Sequence, residues 1–413
     1  MIRFLDSLAS PVPSQRIAWI WAFLAVAIAT PFPIFGFPMP ERAVPIMWLM
    51  LAGVATIIAL VARVSIPFAA LIGWSVIRAA YHAFPERSLK VLLLVSMVAL
   101  LYVVARDASD RIARMVAVGF CIGAGWEALL GLVNAFGAYP WMSMVVAEHV
   151  GKPMGFLTHP NYYGSFMALL IPIVWSVCGI PAAVVVYCLI LKTVSVTPVL
   201  SATAGMLVMA WPLFSRRIRY GIAGAGVVGV LGTLILHEFR LSGRTEVWKM
   251  AFPEILRWPI LGQGLGQWRV WAEDWDRVNY IPQQGKHFLV TLQAHNEPYQ
   301  LLFELGLIGV ILGALWVAQA GLAAFRVWKA APAAMIPGPW YAWGRAPLER
   351  AWIAVVATAL VNSLGSPVFH LPGQAAIIIF ALARMQADAE ALTPTVAQEP
   401  TEERSRHHAS SSR

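Results

Sequence analysis

Residues that can handle an anionic, activated substrate are gathered in one stretch, Arg240 to Gly309. It contains Ser242-Gly243-Arg244, then Pro259-Ile-Leu-Gly262-Gln-Gly264, then Ala294-His295-Asn296, and runs on through Gln300 and Glu304 to Gly306. His295 stands just before a predicted helix, with Asn296 as N-cap and Pro298 in the first turn. The partial positive charge of a helix N-terminus disfavours an imidazolium. A neutral histidine beside a hydroxyl can serve as a general base, and the same helix end offers backbone N–H groups to an anion. A histidine that only borders an interface helix is the plainer alternative. Arg244 carries a permanent charge and a planar fork suited to phosphate; a surface arginine facing lipid headgroups fits equally. Glu304 lies two and a half turns beyond His295, ~13 Å along a helix at 1.5 Å per residue. That is too far to touch the histidine, so Glu304 reads as an internal partner for an arginine or a backbone group.

Other candidates lie outside this stretch. Arg78 falls in the outer part of an apolar run, where a charge costs several kcal/mol unless it is paired or reaches the interface. Lys192 ends another such run. In Gly155-Phe-Leu-Thr-His159-Pro160-Asn161-Tyr162, Pro160 holds His159 extended and Asn161 can cap the helix that follows. The segment is either a rigid re-entry turn or a place where His159, Asn161 or Tyr162 lines an acceptor pocket. Trp268, Trp271 and Trp275 recur at helical spacing opposite Glu273, Asp274 and Asp276, which suits an interfacial aromatic anchor or sugar stacking. Between them and Trp258, Gly262-Gln-Gly-Leu-Gly266 lacks the dinucleotide fingerprint spacing and predicts a turn between two helices. Pro253 should break or kink the first of these helices. The three cysteines, Cys121, Cys178 and Cys188, lie in apolar runs and read as packing residues. No metal-ligand spacing occurs, so no metal and no cofactor is expected.

The elements that must hold these residues are membrane spans. The chain is 59% hydrophobic and only 12% charged, about half the charge of a soluble domain. Apolar runs of ~17–25 residues recur, each long enough to cross ~30 Å of hydrocarbon as a helix, without the alternation of barrel strands. The expected fold class is therefore all-α, a polytopic helical bundle of about twelve transmembrane helices. The runs are 17–35, 44–62, 65–82, 89–105, 112–137, 162–178, 180–193, 198–214, 220–238, 297–325, 350–364 and 368–385. The segment 180–214 can be two short spans with a turn near Ser195, or one span and a re-entrant piece. Charge decides for two. Arg106, Arg111 and Arg114, then Arg216, Arg217 and Arg219, then Arg326, Lys329, Arg345 and Arg350 all fall on one face with both termini if the count is even. By the positive-inside rule that face is cytoplasmic. Residues 1–385 then form one transmembrane domain, a large loop at 239–295 lies between spans nine and ten on the outer face, and 386–413 form a disordered tail. Met1 to Arg16 and the run after it do not read as a cleavable signal peptide. The net charge of +9 is explained by topology and anionic membrane lipids; no nucleic-acid partner is expected.

The pattern Ser242-Gly-Arg244 with Trp248, Pro259-x-x-Gly262-x-Gly264 and His295-Asn-x-x-x-Gln300-x-x-x-Glu304-x-Gly306-x-x-Gly309 resembles the bacterial O-antigen ligase and O-antigen polymerase superfamily. His159-Pro-Asn161 before the sixth span resembles an upstream element of the same proteins. One feature departs: many members carry a Ser-Arg pair where this chain has Leu200-Ser201-Ala202-Thr203, so either Lys192 substitutes as the cation or that contact is absent.

The resemblance implies a bacterial inner-membrane glycosyltransferase working at the periplasmic face without nucleotide or metal. The donor is a glycan on an undecaprenyl-diphosphate carrier. The acceptor hydroxyl belongs to the lipid A core (ligase) or to another carrier-linked glycan (polymerase). His295 and Arg244 are then the catalytic candidates, and Arg78, Lys192, His159, Asn161, Asn296 and Glu304 the substrate-binding ones. A multi-pass polysaccharide or lipid flippase is the alternative; its midplane should hold broken helices or ionisable residues in both halves.

Overall fold

The computed structural model describes residues 66–80, 85–139, 149–157, 159–222, 244–279, 293–330 and 345–392. The expected spans 17–35 and 44–62, most of 220–238, and the tail beyond residue 392 lie outside these residues.

The described residues are helical. In chain order the helices are α1 (Ile66–Ala80), α2 (Pro85–Asp107), α3 (Asp110–Ala135), α4 (Pro160–Cys178), α5 (Ile180–Lys192), α6 (Val196–Ala210), α7 (Arg244–Arg257), α8 (Gln267–Asn279), α9 (Glu297–Ala330), α10 (Leu348–Ser363) and α11 (Pro372–Ala391). Among the described residues, four helices are long and apolar enough to cross a membrane: Asp110–Ala135, Pro160–Cys178, Val196–Leu213 and Glu297–Ala330. Between α5 and α6 the chain turns through Thr193–Ser195, with Val194 at a positive φ of 57°. The 180–214 segment is therefore two helices and a turn.

The bundle has two ends with different chemistry. At one, Arg106 pairs with Glu390 at 2.6 Å, and Arg384 pairs with Asp110 at 2.9 Å and Asp388 at 2.8 Å. The Tyr102 hydroxyl donates to Gln386, and the Ser176 hydroxyl donates to the carbonyl of Ala346 at 2.7 Å. Because α6 runs antiparallel to α10, with Gly205 against Thr358 and Gly365 against Thr197, Arg216, Arg217 and Arg219 belong to this same basic end. The opposite end carries 149–160, 193–196, 259–266, 293–300 and 364–371. Every candidate residue that the structure describes is there or on the last turns leading to it. The core between the ends is packed by α4, α10 and α11, from Met167 through Trp352 to Phe380, and it fixes the helices that end in the site.

Three expectations are corrected. Helix α7 runs unbroken through Pro253. Proline deletes one backbone bond, and both Pro253 and Lys249, whose carbonyl is released, are exposed, so water or headgroups satisfy it. Trp268 is not an interfacial anchor: it is fully buried with Val247, Ala251, Ile255 and Phe303. Its edge meets the Phe303 ring at a centroid distance of 5.0 Å. Trp268 and Trp271 of the stripe thus face α9, not lipid; the Trp275 side chain lies outside the described residues. Finally, α11 continues six residues past the expected boundary, to Ala391, because Gln386 and Ala389 are buried and Asp388 and Glu390 are held by arginines.

Candidate functional site

The site is built around an interruption in α9. Gly306 has φ 66° and ψ −166°, a combination open essentially to glycine alone. The helix breaks there, and its released backbone groups bond to the Pro259–Gly264 turn. Gln263 N–H donates to Phe303 at 2.7 Å, Gly264 N–H to Glu304 at 2.8 Å, and Leu307 N–H returns a bond to Pro259 at 2.9 Å. Gly262 and Gly306 face each other so closely that a Cβ on either would overlap the other strand of backbone. The spaced glycines therefore serve as a backbone clasp. The turn also lies between α7 and α8, where the spacing predicted one.

Glu304 completes the clasp from within. Its side chain is buried; one oxygen accepts the Gly266 N–H at 2.8 Å and the other a Gln300 amide hydrogen at 3.0 Å. It is an internal partner of a backbone group. Arg78 reaches the same turn from α1, donating to the Gly262 carbonyl at 2.8 Å, while the Trp74 indole donates to Leu305 at 3.0 Å. Arg78→Met should lower stability by ~1.5–3 kcal/mol, the range for a hydrogen bond to a charged group, seen as a lower midpoint of thermal unfolding in detergent.

His295 sits at the outer end of this assembly. Asn296 caps α9 as its sequence position predicted, its Oδ1 accepting the Tyr299 N–H at 2.9 Å; its amide also donates to the Leu364 carbonyl at 3.2 Å. Ala294, on the other side, is held twice. Its N–H donates to Gln300 Oε1 at 3.0 Å, and its carbonyl accepts from the Trp248 indole at 2.8 Å. Between these two fixed neighbours His295 adopts a positive φ of 52°. Arg244 begins α7, one turn before Trp248, so the backbone of that arginine starts the helix that is bonded to the residue before His295.

The His159 segment meets the same place. His159, not Asn161, caps α4: its Nδ1 accepts the Asn161 N–H at 3.1 Å. Pro160 imposes the extended conformation this requires. Asn161 is buried in the first turn. His149 packs edge-on to His159 at 4.8 Å, His159 on Tyr162 at 5.0 Å, and Tyr162 lies nearly parallel to His295 at 6.3 Å between ring centroids. Two patches more than 130 residues apart in the chain thus form one row of rings. No family model matches this chain and no curated protein matches it. Lys192 is exposed at the end of α5 and is not drawn into the row.

The segment that carries His149 is fixed from α3. Asn134, fully buried, accepts from Met154 N–H at 3.3 Å and Gly155 N–H at 3.0 Å and donates to Ala138 at 3.0 Å. Glu127 adds a bond from Phe156 N–H at 3.2 Å. Asn134→Ala removes the side-chain acceptor of the Met154 and Gly155 N–H groups, and a buried donor that loses its partner costs about 1–3 kcal/mol. It should expose the 149–157 segment to limited proteolysis.

Sequence reasoning missed His370, Glu297 and the role of Gln300. His370, in the loop after α10, donates or accepts at both ring nitrogens: Nδ1 lies 3.2 Å from Glu297 Oε1 and Nε2 lies 2.9 Å from Gln300 Nε2. Burial pulls the His370 pKa down, but Glu297 and Glu304 outweigh it and raise it to about 9. The available signal was positional: His370 stands at the start of an apolar run on the face shared by His159 and His295.

Proposed function

We propose that the protein is a membrane glycosyltransferase of the lipid-linked kind. It moves a glycan from an undecaprenyl-diphosphate carrier to an acceptor hydroxyl at the end of the bundle opposite the basic residues, as an O-antigen ligase or as an O-antigen or exopolysaccharide polymerase. The observation that carries this reading is the convergence of the His295 loop, the His159–Tyr162 row and the start of α7 at one bundle end. The positive-inside rule favours the cytoplasm for the basic end, which puts this convergence on the periplasmic leaflet of the inner membrane in a bundle of about twelve spans.

The chemistry is a displacement at the anomeric carbon. The acceptor O–H gives its proton to the His295 imidazole as its oxygen bonds to the sugar. The bond from the sugar to the diphosphate breaks, and its electron pair leaves with the lipid diphosphate. Arg244 offsets the charge that develops there. The diphosphate is already a good leaving group, so the protein's task is to orient the two lipid-bound partners and to accept one proton.

A broken helix such as α9 also occurs in transporters. Here the freed backbone groups at Gly306 are bonded to the 259–264 turn and are not directed at a passage, which favours the transferase. Reconstitution into liposomes decides between them. Purified protein given the carrier-linked glycan and an acceptor on the same leaflet, with chelator present, should release undecaprenyl diphosphate and elongated acceptor. Movement of intact carrier-linked glycan between leaflets without transfer would replace this reading with the flippase.

A further inference from the structure

We propose that His370 is a positioning residue for His295, and that proton binding at His370 releases the backbone beside His295 through Gln300. The proposal rests on the reading of His295 as a base only for its rate measurement.

The Gln300 amide has both of its ends assigned by its neighbours. Its oxygen accepts from the Ala294 backbone N–H, and a backbone nitrogen can only donate. The amide nitrogen must then supply its two hydrogens to Glu304 Oε1 at 3.0 Å and to His370 Nε2 at 2.9 Å. The imidazole accepts at Nε2, carries its hydrogen on Nδ1 and donates it to Glu297, 3.1 Å from Oε2. Every group in this chain is satisfied while His370 is neutral.

A second proton breaks the pattern, because Nε2–H would face the N–H of Gln300. The amide resolves the conflict by turning its oxygen to His370. That turn withdraws the acceptor from Ala294 N–H and sets the Gln300 oxygen toward Glu304. Proton binding at His370 and the Gln300–Ala294 bond therefore exclude each other. Ala294 precedes His295, whose left-handed backbone persists only while its surroundings over-determine it. The charged groups that face His370 are Glu297 and Glu304, both from α9; among the described residues no other charged side chain pairs with it. Burial and the Gln300 bond oppose the proton and both carboxylates favour it, so the exchange falls below the value of about 9 that burial and the carboxylates set together. The side chain is about a fifth exposed, at 21%, so a proton can reach it from water.

Trp248 reports on this directly, since its indole donates to the Ala294 carbonyl at 2.8 Å. The full-length protein, labelled with 5-fluorotryptophan in detergent, is titrated by fluorine NMR, with the Trp248 resonance assigned by its loss in Trp248→Phe. The resonance should shift with pH in the wild type and equally in His295→Ala. In His370→Gln it should stay fixed, because a glutamine can accept from Gln300 and donate to Glu297 without titrating. In Glu297→Gln, which keeps His370 but removes one carboxylate, the midpoint should fall by at least about one pH unit. A resonance that does not titrate in the wild type, that titrates unchanged in His370→Gln, or that stops titrating in His295→Ala overturns the proposal. In the transfer assay the wild-type rate should rise with pH over the same range, and His370→Gln should remove that rise. A uniform loss of rate at every pH would mean that His370 only supports the fold, and would also overturn it. If His295→Ala leaves transfer intact, the base assignment fails while the NMR result is judged by itself.

Discussion

Replacing His295 with alanine should slow glycan transfer by about 10²–10⁴-fold, the usual contribution of a positioned general base. The backbone complicates this substitution. His295 has φ 52°, and alanine in the left-handed region costs roughly 1–2 kcal/mol, so a fall in rate could come from a displaced loop. His295→Asn separates the two causes. Asparagine enters the left-handed region readily but cannot take up a proton near neutral pH. If the imidazole is the base, the asparagine variant should be as slow as the alanine variant while its thermal unfolding matches the wild type. Transfer that survives in His295→Asn and fails in His295→Ala would show that the loop conformation matters and the ring does not.

The second large effect is on the fold. Gly306→Ala should lower stability by about 3–5 kcal/mol, at the exceptional end for a single substitution, or abolish recovery of folded protein. Two causes add. The φ 66°, ψ −166° geometry is closed to a residue with a Cβ, and that Cβ would overlap the Ile260 carbonyl. Neither neighbour can retreat, because Leu307 and Gly264 are bonded across the same contact. Gly123→Ala in α3 is the control. Nothing lies within 4 Å of a Cβ there, so the helix should keep or gain up to about 1 kcal/mol. Thermal unfolding in detergent with retained tryptophan fluorescence reads both. Equal behaviour of the two variants would mean that the clasp contributes nothing.

Much of the framework was legible from the sequence because membrane helices announce themselves by length and apolarity. The turn near Ser195 and the Asn296 cap follow from residue type and spacing alone. The break at Gly306 was not legible. A glycine inside an apolar run reads as close helix packing, and only the position of the 259–264 turn, set by tertiary contacts, shows that the helix must open there. Trp268 was misplaced for a related reason: an amphipathic stripe tells which face is apolar but not whether lipid or protein covers it. The meeting of Tyr162 with His295 depends on how α4 and α9 are each set against α10 and α11, which no local pattern encodes. His370 was overlooked because a single histidine at the edge of an apolar run carries no signal until its carboxylate neighbours on another helix are known.

The interruption at Gly306 divides α9 into two pieces with different allegiances. The first nine residues, Glu297 to Leu305, bond to α7, to the 259–266 segment and to the loop after α10, whereas the remainder packs along the bundle. Residues 244–308 should therefore behave as a cassette in chimeras with proteins of the same architecture. A graft that ends just past the interruption keeps the bonds between the 259–264 turn and α9 within itself, and needs Trp74, Arg78, Leu364, Phe369 and His370 on the recipient side. A junction placed at residue 297, where the helix visibly starts, would split that set of bonds between two parents.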